Sequence, residues 1–194
     1  MRQENKDKRE AEIAISAYKL LEEKGFSGVS MLMIARAAKA SNETLYRWYG
    51  DKAGLFLALV ERNTAEVATV LAEISDGTDP RDGLSQVGPV LLKMLLGERA
   101  VALNRAAAGD PSGALGRALA AGGREVVAPR MAKLMARFDM EMAPGAATEL
   151  YLSLLIGDQQ IRRVIGVLPE PDPDAIKARA DAALDQFVRL AKVT

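Results

Sequence analysis

The sequence predicts an all-α protein, with a three-helix helix-turn-helix domain at its N-terminus and a larger helical domain after it. Three observations carry this. Apolar residues recur at helical spacing through most of the 194 residues, and no stretch shows the strict alternation of a half-buried strand. Two short helical patterns, Met31 to Ala38 and Asn42 to Tyr49, are separated by too few residues for anything but a tight corner. Breaks rich in Gly, Pro and Asp at 76–80, 109–111, 142–145 and 168–173 punctuate the remainder at helix-length intervals.

Taken in order, residues 1–9 read as a polar arm. Its Arg2, Lys6, Lys8 and Arg9 suit a nucleic-acid backbone or minor groove, the alternative being a frayed terminus. From Glu10 to Lys24, Ile13, Ala14, Ala17, Leu20 and Leu21 form one apolar face, and Gly25 supplies the stop. Ser30 and Ser41 are cap-type residues ahead of the two short helices, because a serine oxygen accepts an otherwise orphaned helix N–H. Phe26, Met31, Ile34, Ala35, Ala38, Leu45 and Tyr49 close the small core. A long helix then runs from Lys52 to about Ser75 on Leu55, Phe56, Leu59, Val60, Val67, Val70, Leu71 and Ile74.

Beyond the 76–80 loop, 84–96 is expected as a helix interrupted early by Gly88-Pro89, and 98–108 as a short one. Segments 112–121 and 124–140 are expected as helices separated by Gly122-Gly123, with Pro129 giving a kink or a late start. Two amphipathic helices finish the chain. Residues 146–166 place Leu150, Leu154, Ile161 and Ile165 on one stripe, with Ser153 and Gly157 as small residues for close approach. Residues 174–192 line up Ile176, Ala180, Ala183, Leu184, Phe187, Leu190 and Ala191. These two stripes either pair with a second copy as a four-helix bundle or pack inside the monomer.

Composition narrows the function. Without cysteine or histidine there is no thiol chemistry, no disulfide and no histidine-based triad, and the commonest metal ligand is missing. No catalytic residue, metal site or cofactor is expected. A helical enzyme using Glu98, Glu125, Glu149 or Asp158 would need carboxylates brought together by the fold, since none has a recognisable catalytic spacing. The charged start and the lack of a long apolar run lead us to expect a cytoplasmic protein with no membrane partner. Net charge is zero, but residues 1–52 carry ten Lys and Arg against eight Asp and Glu, a slight excess at the helix-turn-helix end.

The second short helix crowds Asn42, Glu43, Thr44, Tyr46, Arg47 and Trp48 onto about two turns, with Lys52 just beyond. This chemistry fits a recognition helix. Its N-terminal residues would face bases: Asn42 suits adenine, Glu43 cytosine N4, and Thr44 a thymine methyl. Over roughly Ile13 to Leu59 the chain resembles the DNA-binding domain of the TetR family of one-component regulators. The matching elements are Ile13 and Ala17, Gly25-Phe26, Ser30 before Ile34-Ala35, Ala38 and Ser41 at the corner, Thr44-Leu45-Tyr46, Tyr49, and Lys52 with Leu55. Lys39 and Glu43 depart from it, standing where the family usually has glycine.

The resemblance implies domains at 1–51 and 52–194, the second for effector binding and dimerisation. It implies phosphate contacts from Ser30, Tyr46, Arg47 and Lys52, with Ser41 also among the DNA-binding residues, while Trp48 either lies over sugar-phosphate or packs into the domain. It also implies a homodimer through 146–166 and 174–192 on a near-palindromic duplex operator, a repressor more than an activator. A small-molecule effector would release the operator, bound among Met94, Leu95, Met131, Leu134, Met135 and Phe138 with polar anchors from Asn104, Arg105, Asp158 or Gln159. A methionine-rich helical core has the same signature. The alternative function is a helical adaptor without DNA binding, which explains the stripes but not the polar crowding on 42–52.

Overall fold

The computed structural model describes residues 2–193, and no strand occurs among them. Eleven α-helices follow one another: α1 Arg2–Lys24, α2 Met31–Ala37, α3 Asn42–Tyr49, α4 Lys52–Glu73, α5 Pro80–Leu96 and α6 Glu98–Ala108 lead. Next come α7 Ala114–Leu119, a π-helical turn Ala120–Arg124, α8 Glu125–Met135, α9 Pro144–Ile156, α10 Gln159–Val164 and α11 Pro173–Leu190. The chain forms two compact units, one from the residues up to Arg62 with Ala102–Gly122, the other from Asn63–Val101 with 123 onward. The first unit thus runs past Asp51, the boundary expected from sequence. It also takes in a later segment whose joining no local signal announces.

In the first unit Ile13, Ala17, Leu21, Ile34, Leu45, Phe56 and Leu59 are buried together with Leu103, Ala106 and Leu115. Each large apolar side chain taken from water contributes roughly 1.5–3 kcal/mol. The Phe26 and Phe56 rings meet edge to face at 5.8 Å, and the Tyr18 hydroxyl donates to the Leu59 carbonyl. The expected arm is helix from Arg2 onward. Its i,i+4 pair Lys6–Glu10 (3.5 Å) and i,i+3 pair Arg9–Glu12 (2.9 Å) support helix there. Met1 and the side chain of Arg2, at the start of that arm, lie outside the described residues.

The second unit buries Leu84, Val87, Leu91, Leu92, Met131, Met135, Tyr151, Leu155 and Phe187 in one cluster, with α5, α9 and α11 packed on each other and α8 on α9. α5 runs unbroken through Gly88-Pro89. Gly88 is required there because a Cβ would lie 2.4 Å from the Tyr151 hydroxyl oxygen. Nor does Gly122-Gly123 end one helix before the next begins. The chain widens into the π-helical turn, and Gly122 lies so close to Val60 that a Cβ would be 2.9 Å from its Cγ1.

The segment 146–166 is not one helix. Gly157, at φ 53 and ψ −132, ends α9, and α10 begins two residues later. The Arg179 Nε donates to the Leu155 carbonyl at 3.0 Å and its Nη2 to that of Leu154, satisfying carbonyls that a helix end leaves orphaned. Past this break the expected stripe loses its phase. Ile161 and Ile165 are 57% and 62% exposed, while Arg163 is buried. Arg163 donates to the Leu96 and Leu168 carbonyls at 2.7 and 3.0 Å and pairs with Glu98 at 2.6 Å. The α11 stripe Ile176, Ala180, Ala183, Leu184 and Phe187 is buried within this unit, with Leu190 exposed beyond it.

Candidate nucleic-acid interface

The corner is built from its own residues. Ser30 caps α2 by accepting from the Met33 N–H at 3.2 Å. At the other end Lys39 adopts φ 52, its N–H bonds the Arg36 carbonyl at 3.2 Å, and the Ala40 N–H bonds Ala35 at 2.9 Å. That bond pair is the Schellman closure of a helix, which glycine enters without a Cβ penalty. Lys39 therefore carries the strain that its residue type implies, up to about 1 kcal/mol relative to glycine. Ser41 then caps α3, accepting from the Thr44 N–H at 3.0 Å, and shares a 2.8 Å hydrogen bond with the Thr44 hydroxyl.

With both ends fixed, α3 divides by face. Leu45 is fully buried, and Trp48 and Tyr49 pack against the same core. Asn42, Glu43, Tyr46 and Arg47 are exposed, Tyr46 by 50%, while Thr44 is half-buried. Trp48 is half-buried in edge contact with Tyr49 at 6.4 Å, and the Lys6 ammonium lies 5.8 Å from its ring centroid. Burial, with a smaller push from the Glu10 carboxylate and opposed by Arg62, holds the Tyr49 phenol protonated, its pKa raised to about 12. Tyr49 thus works as core.

The helix stops at Gly50, φ 74, and Asp51 starts α4 by accepting from the Gly54 N–H at 2.8 Å. Gly54 is needed for a close approach, since a Cβ would stand 2.0 Å from the Tyr49 carbonyl oxygen.

Lys52, expected as a phosphate contact, makes two bonds within the domain. Its Nζ donates to the Phe26 and Val29 carbonyls at 2.9 Å each and sits 4.1 Å from the Phe26 ring centroid. This ammonium locks the turn after α1 to the start of α4, two of its three protons being used. Sequence reading also misses the bond made by Arg9, whose Nη1 reaches the Ala38 carbonyl at 3.3 Å and ties α1 to the corner. The alternation of Lys6, Arg9, Glu10 and Glu12 at helical spacing is the signal that α1 extends this far.

The expected effector residues are not all brought together. Met131, Met135 and Phe138 are buried in one cluster with Met94 packed on it, Leu95 beside Met94 and Leu134 within it. Asn104 and Arg105 fall in the other compact unit. Asp158 is exposed at the start of α10, 3.9 Å from Arg162, and Gln159 is half-buried.

Two short helices set by serine caps, with an exposed polar face on the second, define a helix-turn-helix protein of the transcription-regulator class. Residues 15–59 match the profile of the family described as bacterial regulatory proteins, tetR family. Over 45 residues the chain is 44% identical to the uncharacterized HTH-type transcriptional regulator YdeS of Bacillus subtilis, a stretch that is 23% of each protein. It therefore spans under a quarter of that relative. The whole fold is similar to a TetR-family regulator from Mesorhizobium loti (TM-score 0.78, 23% identity, 95% of this chain and 96% of that one). It is likewise similar to a TetR regulator from Agrobacterium tumefaciens (TM-score 0.74, 28% identity, 94% and 93%). The flavonoid-responsive regulator FrrA gives TM-score 0.67 at 26% identity over 95% and 97%. Residues 15–59 thus carry a DNA-binding domain of the tetR-family type, and the fold as a whole is similar to solved TetR regulators.

Proposed function

We propose that the protein is a homodimeric repressor that binds a near-palindromic operator through α3 and leaves it when a small molecule occupies the second unit. The observation carrying the DNA reading is the division of α3. Asn42, Glu43, Tyr46 and Arg47 are exposed, and buried Leu45 with the two serine caps fixes how they are presented. Asn42, Glu43 and Thr44 stand in the first turn, where a recognition helix meets base edges. To Ser30, Ser41, Tyr46, Arg47 and Trp48 we assign phosphate and sugar contacts around it.

Two-fold symmetry follows from reach. One short helix touches few base pairs, and a second copy about 34 Å away supplies the missing specificity. Exposed Ile161, Ile165, Val167 and Leu190 on and around α10 and α11 support a homodimer through this end of the chain. Their burial against a second copy, not the inward α11 stripe, is the driving force.

The effector reading is supported by the Met131, Met135 and Phe138 cluster, since thioether and aromatic side chains adapt to apolar ligands. The naming of FrrA as flavonoid-responsive supports response to a small organic molecule. Release requires the effector to favour the non-binding state by a few kcal/mol. α4, which has residues in both units, is the element we assign to carry that change.

The test is selection of bound genomic fragments by the purified protein at two salt concentrations. An enriched inverted repeat, weakened by salt and lost when Tyr46 and Arg47 are both replaced by Ala, is the expected result. If no duplex is enriched and no salt-dependent binding occurs, the DNA reading fails and the adaptor reading takes its place.

A further inference from the structure

The first two turns of α1 are not an arm, and they do not stand apart from the recognition helix. They form one wall of an open groove of about 520 Å³ whose other wall is α3. Lys6, Lys8 and Arg9 line it from α1, and Arg47, Trp48 and Thr44 from α3. The segment 2–12 carries four carboxylates, Glu4, Asp7, Glu10 and Glu12, against four cations, so its composition alone gives no sign of a basic surface. The helix sorts them. At 3.6 residues per turn Glu4, Asp7 and Glu10 follow one another along one side, and among the described side chains of this segment Glu12 is the one carboxylate that lines the groove. Glu12 is engaged by Arg9 at 2.9 Å. What remains facing the groove is the charge of Lys8 and Arg47, with that of Lys6, whose ammonium also lies 3.5 Å from Glu10, beside the indole of Trp48.

We propose that this groove seats a backbone phosphate of duplex DNA, so that α1 and α3 together grip the strand flanking the bases that α3 reads. The proposal rests on the DNA-binding reading above and extends the contact surface to a helix outside the helix-turn-helix. Lys6 and Lys8 neutralise the phosphate, and the Trp48 ring, already beside the Lys6 ammonium, packs on the adjoining sugar. Arg9 is a positioning residue here. Through Ala38 it fixes the distance between the α1 wall and the corner from which α3 starts. DNA is the favoured occupant because the groove is open, cationic and continuous with the exposed face of α3.

The experiment is fluorescence anisotropy of a labelled random-sequence duplex, and of a selected operator fragment, titrated with wild-type protein and with Lys6→Ala/Lys8→Ala across a salt series. Losing one phosphate contact per protomer lowers the log–log salt slope by about 0.9 per protomer, about 1.8 for the dimer, equivalent to a roughly 60-fold loss in affinity at about 0.1 M salt. The operator-to-random affinity ratio should stay unchanged, because phosphates carry no sequence information. The charge-matched control Lys93→Ala/Lys133→Ala, in the second unit, should leave the slope as it was. Circular dichroism of each variant establishes that it folds. An unchanged slope in the Lys6/Lys8 variant, with the wild type binding well, overturns the groove and leaves the DNA reading standing. An equal slope loss in the control overturns it too, by assigning the effect to net charge. A wild type that binds no duplex at low salt overturns both.

Discussion

Two tight reversals in this chain, the α2–α3 corner and the α9–α10 break, solve the same problem by different means. At the corner the closing bonds are mostly local, Ser30 with Met33, Ala35 with Ala40 and Ser41 with Thr44, and Arg9 adds one to the Ala38 carbonyl from α1. At the break the carbonyls of Leu154 and Leu155 wait for Arg179, 24 residues beyond Leu155. A reversal closed locally keeps its shape from its own sequence, which suits an element that must present α3 identically each time. A reversal closed from afar holds only while α11 is docked. The first is therefore the sturdier device, and the second is more closely coupled to packing.

Breaking either reversal tests the contrast. The largest effect belongs to Gly54→Ala, next to the corner, where the new methyl collides with the Tyr49 carbonyl oxygen at 2.0 Å. Because the obstacle is backbone, we expect a loss of about 3 kcal/mol, seen as a lower urea midpoint at unchanged slope, together with weaker DNA binding. Arg179→Met comes next. It leaves two helix-end carbonyls to water, for about 2 kcal/mol by the same urea titration, with enhanced hydrogen exchange at the end of α9 and none at α3.

Ser41→Ala removes one cap and costs about 1 kcal/mol. If Ser41→Ala proves the costlier of these two, distance of the partner is not what separates the reversals. Lys39→Gly is the smallest, a gain of about 0.5–1 kcal/mol in thermal or urea unfolding, since glycine relieves the φ 52 backbone. A loss there would mean that the lysine side chain contributes more than the strain costs.

The same contrast explains what can be read from the sequence. Ser30, Ser41 and the departure at Lys39 are legible because their partners lie next to them. The carbonyl contacts of Lys52 go unforeseen because its partners, Phe26 and Val29, are 26 and 23 residues earlier, and nothing in the sequence distinguishes a lysine aimed at DNA from one aimed at carbonyls. The α11 stripe announces a buried face without saying what buries it, and the structure places it against its own unit. Gly157 reads as a packing residue, since its positive φ is a property of the backbone alone. Likewise Gly88-Pro89 looks like an interruption, yet Tyr151 fills the space that the missing Cβ leaves.

The surroundings of Tyr151 cannot be foreseen either. Its hydroxyl is buried without a hydrogen bond, and burial, with a smaller push from Asp181, raises its pKa. In the first unit, by contrast, Tyr18 has its carbonyl partner. Leaving a hydroxyl unpaired costs on the order of 1–3 kcal/mol, so Tyr151→Phe should be neutral or stabilising by up to about 1 kcal/mol in the same unfolding assay. Tyr18→Phe, which removes the buried hydrogen bond to the Leu59 carbonyl, should be destabilising.

Trp48 is the single tryptophan of the chain, and it lines the groove between α1 and α3. Light absorbed at the red edge of the protein spectrum is therefore emitted from one place. The protein carries its own optical reporter at the candidate DNA surface. A strand arriving there would alter the emission of an unlabelled sample. An added metabolite that binds in the other unit and still changes that emission would reveal, in one cuvette, that news of its arrival reaches the recognition helix.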